Sequence, residues 1–190
     1  MRVILLLCTV LLTGCASLLP LRGTPEPRPA ASEGRIGELE NGLRYYIREN
    51  NEPRARAELR LVVNAGSVLE AGDQRGAAHL VEHMAFNGTR HFEKQELVDY
   101  LERIGMRFGP DVNAYTSFDE TVYLLTIPSD SLELLETGLQ ILEDWAHGVT
   151  FDSLEVEKER GVVIEEWRLG RGAGSRLQAK QFPVLLRGSR

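Results

Sequence analysis

The chain has 190 residues, room for one domain of ordinary size, and its 43% hydrophobic and 26% charged residues are the balance of a soluble globular protein. A formal net charge of −6 argues against a nucleic-acid partner, which favours a basic face. Charge does not select a substrate. At the start of the chain Arg2 precedes an apolar run, Val3 to Leu12, followed by Thr13, Gly14 and Cys15. That run is about half of the roughly 20 residues needed to span a bilayer, so residues 1–14 are expected to be a secretory signal.

Leu12-Thr13-Gly14-Cys15 resembles the bacterial lipobox, in which the cysteine is lipidated and becomes the mature N-terminus. Ala16 and Ser17 follow with no Asp, so the resemblance implies a periplasmic protein anchored to the outer membrane of a Gram-negative bacterium. Cys8 would leave with the signal and Cys15 would carry lipid, so no disulfide is expected. Residues 15–34, with Pro20, Pro25, Pro27 and Pro29, lack periodicity and read as a flexible tether to a domain spanning 35–190.

Within that domain the Asn41-Gly42 pair between Leu39 and Tyr45-Tyr46-Ile47 predicts a hairpin. Ala57 to Ala65 alternates and predicts a strand, and Gly72 to Gly76 a loop. Gly76 to Phe86 predicts a helix stopped by Asn87-Gly88. Phe92 to Ile104 places Leu97, Leu101 and Ile104 at helical spacing. Arg107 to Thr116 and Glu120 to Ile127 read as strands joined at Ser117-Phe118-Asp119. Ser129 to His147 and Ser153 to Leu169 read as helices. After Gly170 the composition becomes rich in Gly and Arg, and no element is predicted. The pattern as a whole is α+β, an antiparallel sheet covered by helices on one face.

The chemistry concentrates in His79-Leu80-Val81-Glu82-His83. Residues four apart share a helix face, so His79 and His83 project side by side and can close on one zinc ion, at nitrogen distances of about 2.0–2.1 Å. Glu82 falls between them in sequence and can reach the rim of the same site without being a ligand. Zinc lowers the pKa of a bound water to roughly 7, and a nearby carboxylate can then take its proton. The alternative is a hydrogen-bonded polar cluster in an apolar segment, since Ala77, Ala78, Leu80, Val81, Met84, Ala85 and Phe86 surround these groups. His91 and His147 fall outside any ligand pattern and read as ordinary histidines.

A third ligand is still required. Glu159 and Glu166 are seven residues apart, two helical turns, and share a face near Val156, Val163 and Trp167, which suggests an inward stripe. One carboxylate would bind the metal and the other would support it from outside the coordination sphere. Glu157 and Glu165 fall on other faces and read as solvent charges. An ordinary charged helix is the alternative.

These residues resemble the pitrilysin/insulinase family of zinc peptidases, which includes the mitochondrial processing peptidases. His79-x-x-Glu82-His83 is the inverse of the more common zincin order. Its continuation Met84 to Thr89, the segment Asn113 to Ser117 and the Glu159-x6-Glu166 pattern are also family-like, and Glu155 to Arg168 most resembles the bacterial periplasmic branch. The resemblance implies a metallohydrolase half-domain of the mitochondrial-processing-peptidase type. It implies one zinc per domain with His79, His83 and Glu166 as ligands, Glu82 as general base and Glu159 behind the ligands. The spacing from His83 to Glu166 (166 − 83 = 83) is longer than in many relatives, which keeps Glu159 open as the ligand. Asn113, Ala114 and Tyr115 would bind an extended peptide as an added strand; without the resemblance the segment reads as a plain sheet strand.

Family members build a chamber from two or more related halves, so a second half-domain, in the same or another chain, is expected as partner, and the domain here reads as truncated. The resulting expectation is a zinc metalloendopeptidase acting on extended peptides or unfolded segments. The alternatives are a non-catalytic peptide-binding or scaffold subunit of the same family, or a hydrolase of non-peptide substrates.

Overall fold

A computed structural model describes residues 34–188. The secretory signal, Cys15 and almost all of the tether lie outside the described residues. The described residues divide into two compact units, one ending at Asn51 and the other beginning at Glu52. Among the described residues no helix is long and apolar enough to cross a membrane.

The first unit contains the expected hairpin. Strands β1 (Arg35–Glu38) and β2 (Arg44–Ile47) pair antiparallel with Ile36 opposite Tyr46. The Asn41 side chain accepts from Leu43 N at 3.1 Å, and Gly42 donates to Leu39 O at 2.9 Å. Gly42 has φ +84°, the left-handed geometry that makes an Asn-Gly pair a turn.

The second unit is built on an antiparallel sheet of three strands in the order β3 (Arg56–Val63), β5 (Thr121–Pro128), β4 (Val112–Thr116). β3 keeps its predicted alternation: Ala57, Leu59, Leu61 and Val63 turn toward the core, and Arg56, Glu58, Arg60 and Val62 are exposed. β5, paired on both edges, is the most buried strand, and its Tyr123, Leu125 and Ile127 form the centre of the core. Helices α2 (Glu96–Arg103) and α3 (Leu132–His147) complete that core with Leu97, Leu101, Ile141 and Trp145. Burying an aliphatic side chain of this kind contributes about 1.5–3 kcal/mol. Gly138 lets α3 approach the sheet closely, since a Cβ there would lie 2.5 Å from Ile127 Cδ1 and 2.9 Å from Leu59 Cδ1. The remaining elements are a short 3-10 turn (Ser67–Leu69), α1 (Ala77–Met84), α4 (Ser153–Leu169) and α5 (Ala173–Leu185). The fold is α+β, with α1 and α3 packed on the sheet as the alternation predicts.

Element boundaries differ from the periodicity where side chains claim the backbone. Phe92–Gln95 do not join α2, because Phe92 O accepts from Thr89 N at 2.7 Å and Glu96 reaches back to Glu93 N at 3.1 Å. Arg107–Asp111 form a turn rather than the start of β4, closed by Arg107 N and Nε donating to Asp111 Oδ2 at 3.1 and 2.9 Å. α5 was not predicted. The glycines of this stretch cluster at and before its first turn, at Gly170, Gly172 and Gly174, leaving Arg176-Leu177-Gln178-Ala179-Lys180-Gln181 as an uninterrupted run of helix formers.

His91 has a structural partner, in keeping with its reading as an ordinary histidine. The Asp144 side chain, fully buried, accepts from Thr89 Oγ1 at 2.6 Å and His91 N at 3.1 Å, and lies 2.8 Å from His91 Nδ1. Burial alone would raise this carboxyl, but the bonds from Thr89 and His91 hold it below the ordinary carboxylate range. The cluster pins the chain leaving α1 to the last turn of α3.

Candidate metal centre and peptide edge

α1 is fixed at both ends. Gly76, at φ +91°, turns the chain into the helix, and Glu70 receives the free N–H groups of Gly76 and Ala78 at 2.9 Å each. A carboxylate at a helix N-terminus both satisfies these donors and meets the positive end of the dipole. At the other end Trp145 Nε1 donates to Ala85 O at 3.0 Å, and its ring lies 5.3 Å from those of Phe86 and Tyr123. The two histidines one turn apart are therefore carried on a helix held from the core.

His79 and His83 meet edge to face, with ring centroids 4.8 Å apart and 84° between planes. Their Nε2 atoms are 3.2 Å apart. α4 packs against α1 and brings Glu166 Oε2 to 3.4 Å from His79 Nε2 and 3.5 Å from His83 Nε2. Among the described residues these three form a group able to hold a metal ion. Ligands about 2.05 Å from a tetrahedral zinc are separated from one another by roughly 3.3 Å. The three separations match that edge length, so the donor set fits zinc and leaves a fourth position.

Glu159 takes a different position on the same helix. Its Oε2 lies 3.1 Å from His83 Nδ1 and its Oε1 accepts from Asn87 Nδ2 at 3.0 Å. A proton on His83 Nδ1 directed at this carboxylate leaves the Nε2 lone pair for the ion. α4 starts at Asp152, which caps Leu154 N and Glu155 N, and Glu155 pairs with Lys94 and Lys158. The expected inward stripe is only partly inward. Val156, Glu159 and Val163 are half-buried, but Trp167 is exposed and stacks on Arg171, 4.8 Å from its ring centroid. Glu157 and Glu165 are solvent charges, paired with Arg160 and Arg168.

Glu82 is buried, and its Oε2 accepts from Thr116 Oγ1 at 2.6 Å. Thr121 Oγ1 stands 3.4 Å behind Thr116 Oγ1 and donates to Ala65 O. Burial, with the Glu82 charge second, pushes the Tyr123 phenol up to about 12, so it stays neutral beside Glu82. Two hollows meet at Glu82 and Ala114. One, of about 300 Å³, is lined by His83, Phe86, Phe108, Val112 and Asn113; the other, of about 560 Å³, by Ser67, Glu70, His79, Tyr115 and Phe118.

β4 is an edge strand whose pairing phase is set by its turn. Ser117 N donates to Glu120 O and Thr126 N to Asp111 O, so Asp111, Asn113 and Tyr115 spend their backbone groups on the β5 side, while Ser117 O accepts from Ser67 N at 3.1 Å. Val112, Ala114 and Thr116 direct theirs to the other side. Val112 is satisfied by Arg107 O and Gly109 N. The Ala114 N–H is met by the neighbouring Asn113 side chain at 3.0 Å, an i,i+1 contact that a peptide strand can replace.

The structure thus brings His79, His83, Glu166, Glu82 and Glu159 together and sets Asn113, Ala114 and Tyr115 along the strand next to them. Sequence reasoning missed Thr116, Asn87 and Glu70. Thr116 stood within a segment already singled out, and the signal available was the inward alternation of Val112, Ala114 and Thr116. Asn87 reads as a helix stop and as part of the family-like run Met84 to Thr89, with no role of its own.

Residues 45–169 match the family described as Insulinase (Peptidase family M16). A Haemophilus influenzae protein named "Probable zinc protease PqqL" is 44% identical over 154 residues, 81% of this chain and 17% of that protein. The crystal structure of the first half of the periplasmic protease PqqL from Escherichia coli is similar with a TM-score of 0.77 and 42% identity, covering 81% of this chain and 33% of that one. The ferredoxin protease FusC, solved in complex with Arabidopsis ferredoxin, matches at a TM-score of 0.74 and 28% identity over 83% of this chain and 17% of that one. The chain thus spans about a sixth of the length of the Haemophilus protein it matches. On its matched residues and its fold alike, this chain belongs to the insulinase family, peptidase family M16.

Proposed function

We propose that the chain is the metal-bearing part of a zinc metalloendopeptidase acting on extended peptides or unfolded segments. The observation that carries this reading is the near-equal spacing of His79 Nε2, His83 Nε2 and Glu166 Oε2, at 3.2, 3.4 and 3.5 Å. Two neutral imidazole lone pairs and a carboxylate oxygen repel one another at that range unless a cation or proton lies between them. Zinc, when bound, acidifies a water molecule and polarises the scissile carbonyl.

The protein's own groups do the rest. Glu82 takes the water proton and delivers it to the leaving amine. Thr116 donates to Glu82 Oε2 and so leaves Oε1 as the acceptor for that proton. The substrate backbone pairs with the free edge at Ala114 and Thr116, a mode that tolerates varied side chains because the bonds are to main chain. The wall opposite comes from a second half-domain, in the same or another chain. Periplasmic location, with Cys15 lipidated and anchored to the outer membrane, is supported by the lipobox-like segment and by the periplasmic protease it resembles.

Two measurements test this. Titration of the metal-free chain with zinc is expected to saturate at one ion per chain and to reverse with a chelator; absence of saturable binding overturns the reading. In the full-length protein, Ala114→Pro removes an N–H that β5 does not use, so it is expected to raise KM several-fold, roughly the loss of one backbone hydrogen bond, with little change in Tm. An unchanged KM rules out strand addition at this edge. The rival reading, a scaffold subunit, predicts zinc binding without turnover in the complete protein.

A further inference from the structure

Asn87 follows the last turn of α1, where its N–H donates to Met84 O at 3.0 Å. Its side chain reaches across to α4 and donates Nδ2–H to Glu159 Oε1 at 3.0 Å. The other end of the amide, Oδ1, is buried and has no hydrogen-bond partner among the described residues. A flipped amide would turn Oδ1 onto the Glu159 carboxylate and replace attraction with repulsion. The orientation that leaves Oδ1 unsatisfied is therefore the one that serves Glu159.

Glu159 can rotate about its terminal bond, and in the arrangement present one carboxylate oxygen, Oε2, lies 3.1 Å from His83 Nδ1. With Oε1 tied to Asn87, that rotation is fixed. The chain Asn87–Glu159–His83 thus runs from the α1 terminus to α4 and back to α1, ending at the imidazole that carries a candidate ligand nitrogen. We propose that Asn87 is a positioning residue of the metal centre, orienting Glu159 so that His83 presents Nε2 to the ion. This rests on the zinc reading above.

The test uses the 190-residue chain and zinc affinity measured by competition with a chromophoric chelator, with the visible spectrum of the cobalt-substituted protein as a second readout. Asn87→Leu keeps the branched outline and removes the donor, and Asn87→Asp keeps the shape and puts a second carboxylate against Glu159. Each is expected to weaken zinc by about tenfold, the lower end of what outer-sphere partners contribute, with Asn87→Asp the weaker binder. In a Glu159→Gln background the effect of Asn87→Leu is expected to shrink to within about twofold, because the groups act through one another. Equal losses in both backgrounds assign Asn87 to packing and overturn the proposal, as does wild-type affinity in Asn87→Asp, whose matched shape preserves the fold. Absence of zinc binding by the wild-type chain removes the metal reading and this role together. Tight wild-type binding with Asn87→Leu unchanged removes this role alone.

Discussion

Glu82→Gln in the full-length protein is expected to lower peptide turnover by about 10²–10⁴-fold while leaving zinc content, KM and Tm close to wild type. The substitution is isosteric, and the amide oxygen can still accept from Thr116 Oγ1, whose bond to the carboxylate is 2.6 Å. What disappears is the ability to accept and return a proton. Because Glu82 is buried against the sheet and shares the hollow with His83 rather than joining the three atoms able to hold a metal, ion binding has no reason to fall with it. Steady-state kinetics on an extended peptide, beside a metal assay of the same preparation, separates the two effects. Undiminished kcat dismisses Glu82 as the base, and loss of zinc in step with activity makes it a ligand.

Glu166→Gln is expected to cost zinc affinity more than Glu159→Gln, the former beyond about a hundredfold and the latter within about 10–100-fold. Glu166 Oε2 lies within 3.5 Å of both imidazole Nε2 atoms. Glu159 has both oxygens engaged elsewhere, one with His83 Nδ1 and one with Asn87 Nδ2, and would have to abandon both bonds to reach the ion. Competition titration of the two variants decides between them. The reverse order of losses reassigns the ligand to Glu159, the choice that the long spacing from His83 kept open.

The sequence carried the identity of the residues that the fold gathers more completely than their arrangement in space. His79 and His83 were legible because helical spacing alone places them on one face, and β3 because alternation over eight residues has one solution against a core. Glu166 and Glu159 were legible only as a pair. Their division of labour depends on where α4 crosses α1, which no local pattern encodes. Asn87 and Thr116 escaped for the same reason, since each acts across a tertiary contact, Asn87 on α4 and Thr116 on α1. The start of β4 was set too early because Asp111 diverts the backbone of Arg107 into a turn, a competition between side chain and ladder that periodicity does not see.

α4 has no fully buried side chain along its 17 residues, yet it supplies Glu166. Its hold on the rest of the domain comes from half-buried contacts with α1 and the Glu155–Lys94 pair, so the hydrophobic core does little to anchor it. An ion shared between α1 and α4 would act there as a removable cross-link, closing a loop of some eighty residues between His83 and Glu166. Tight binding then stabilises the helix in proportion to the logarithm of free zinc over its dissociation constant. Without zinc that cross-link is gone, and α4 keeps only its half-buried contacts with α1 and its pair with Lys94.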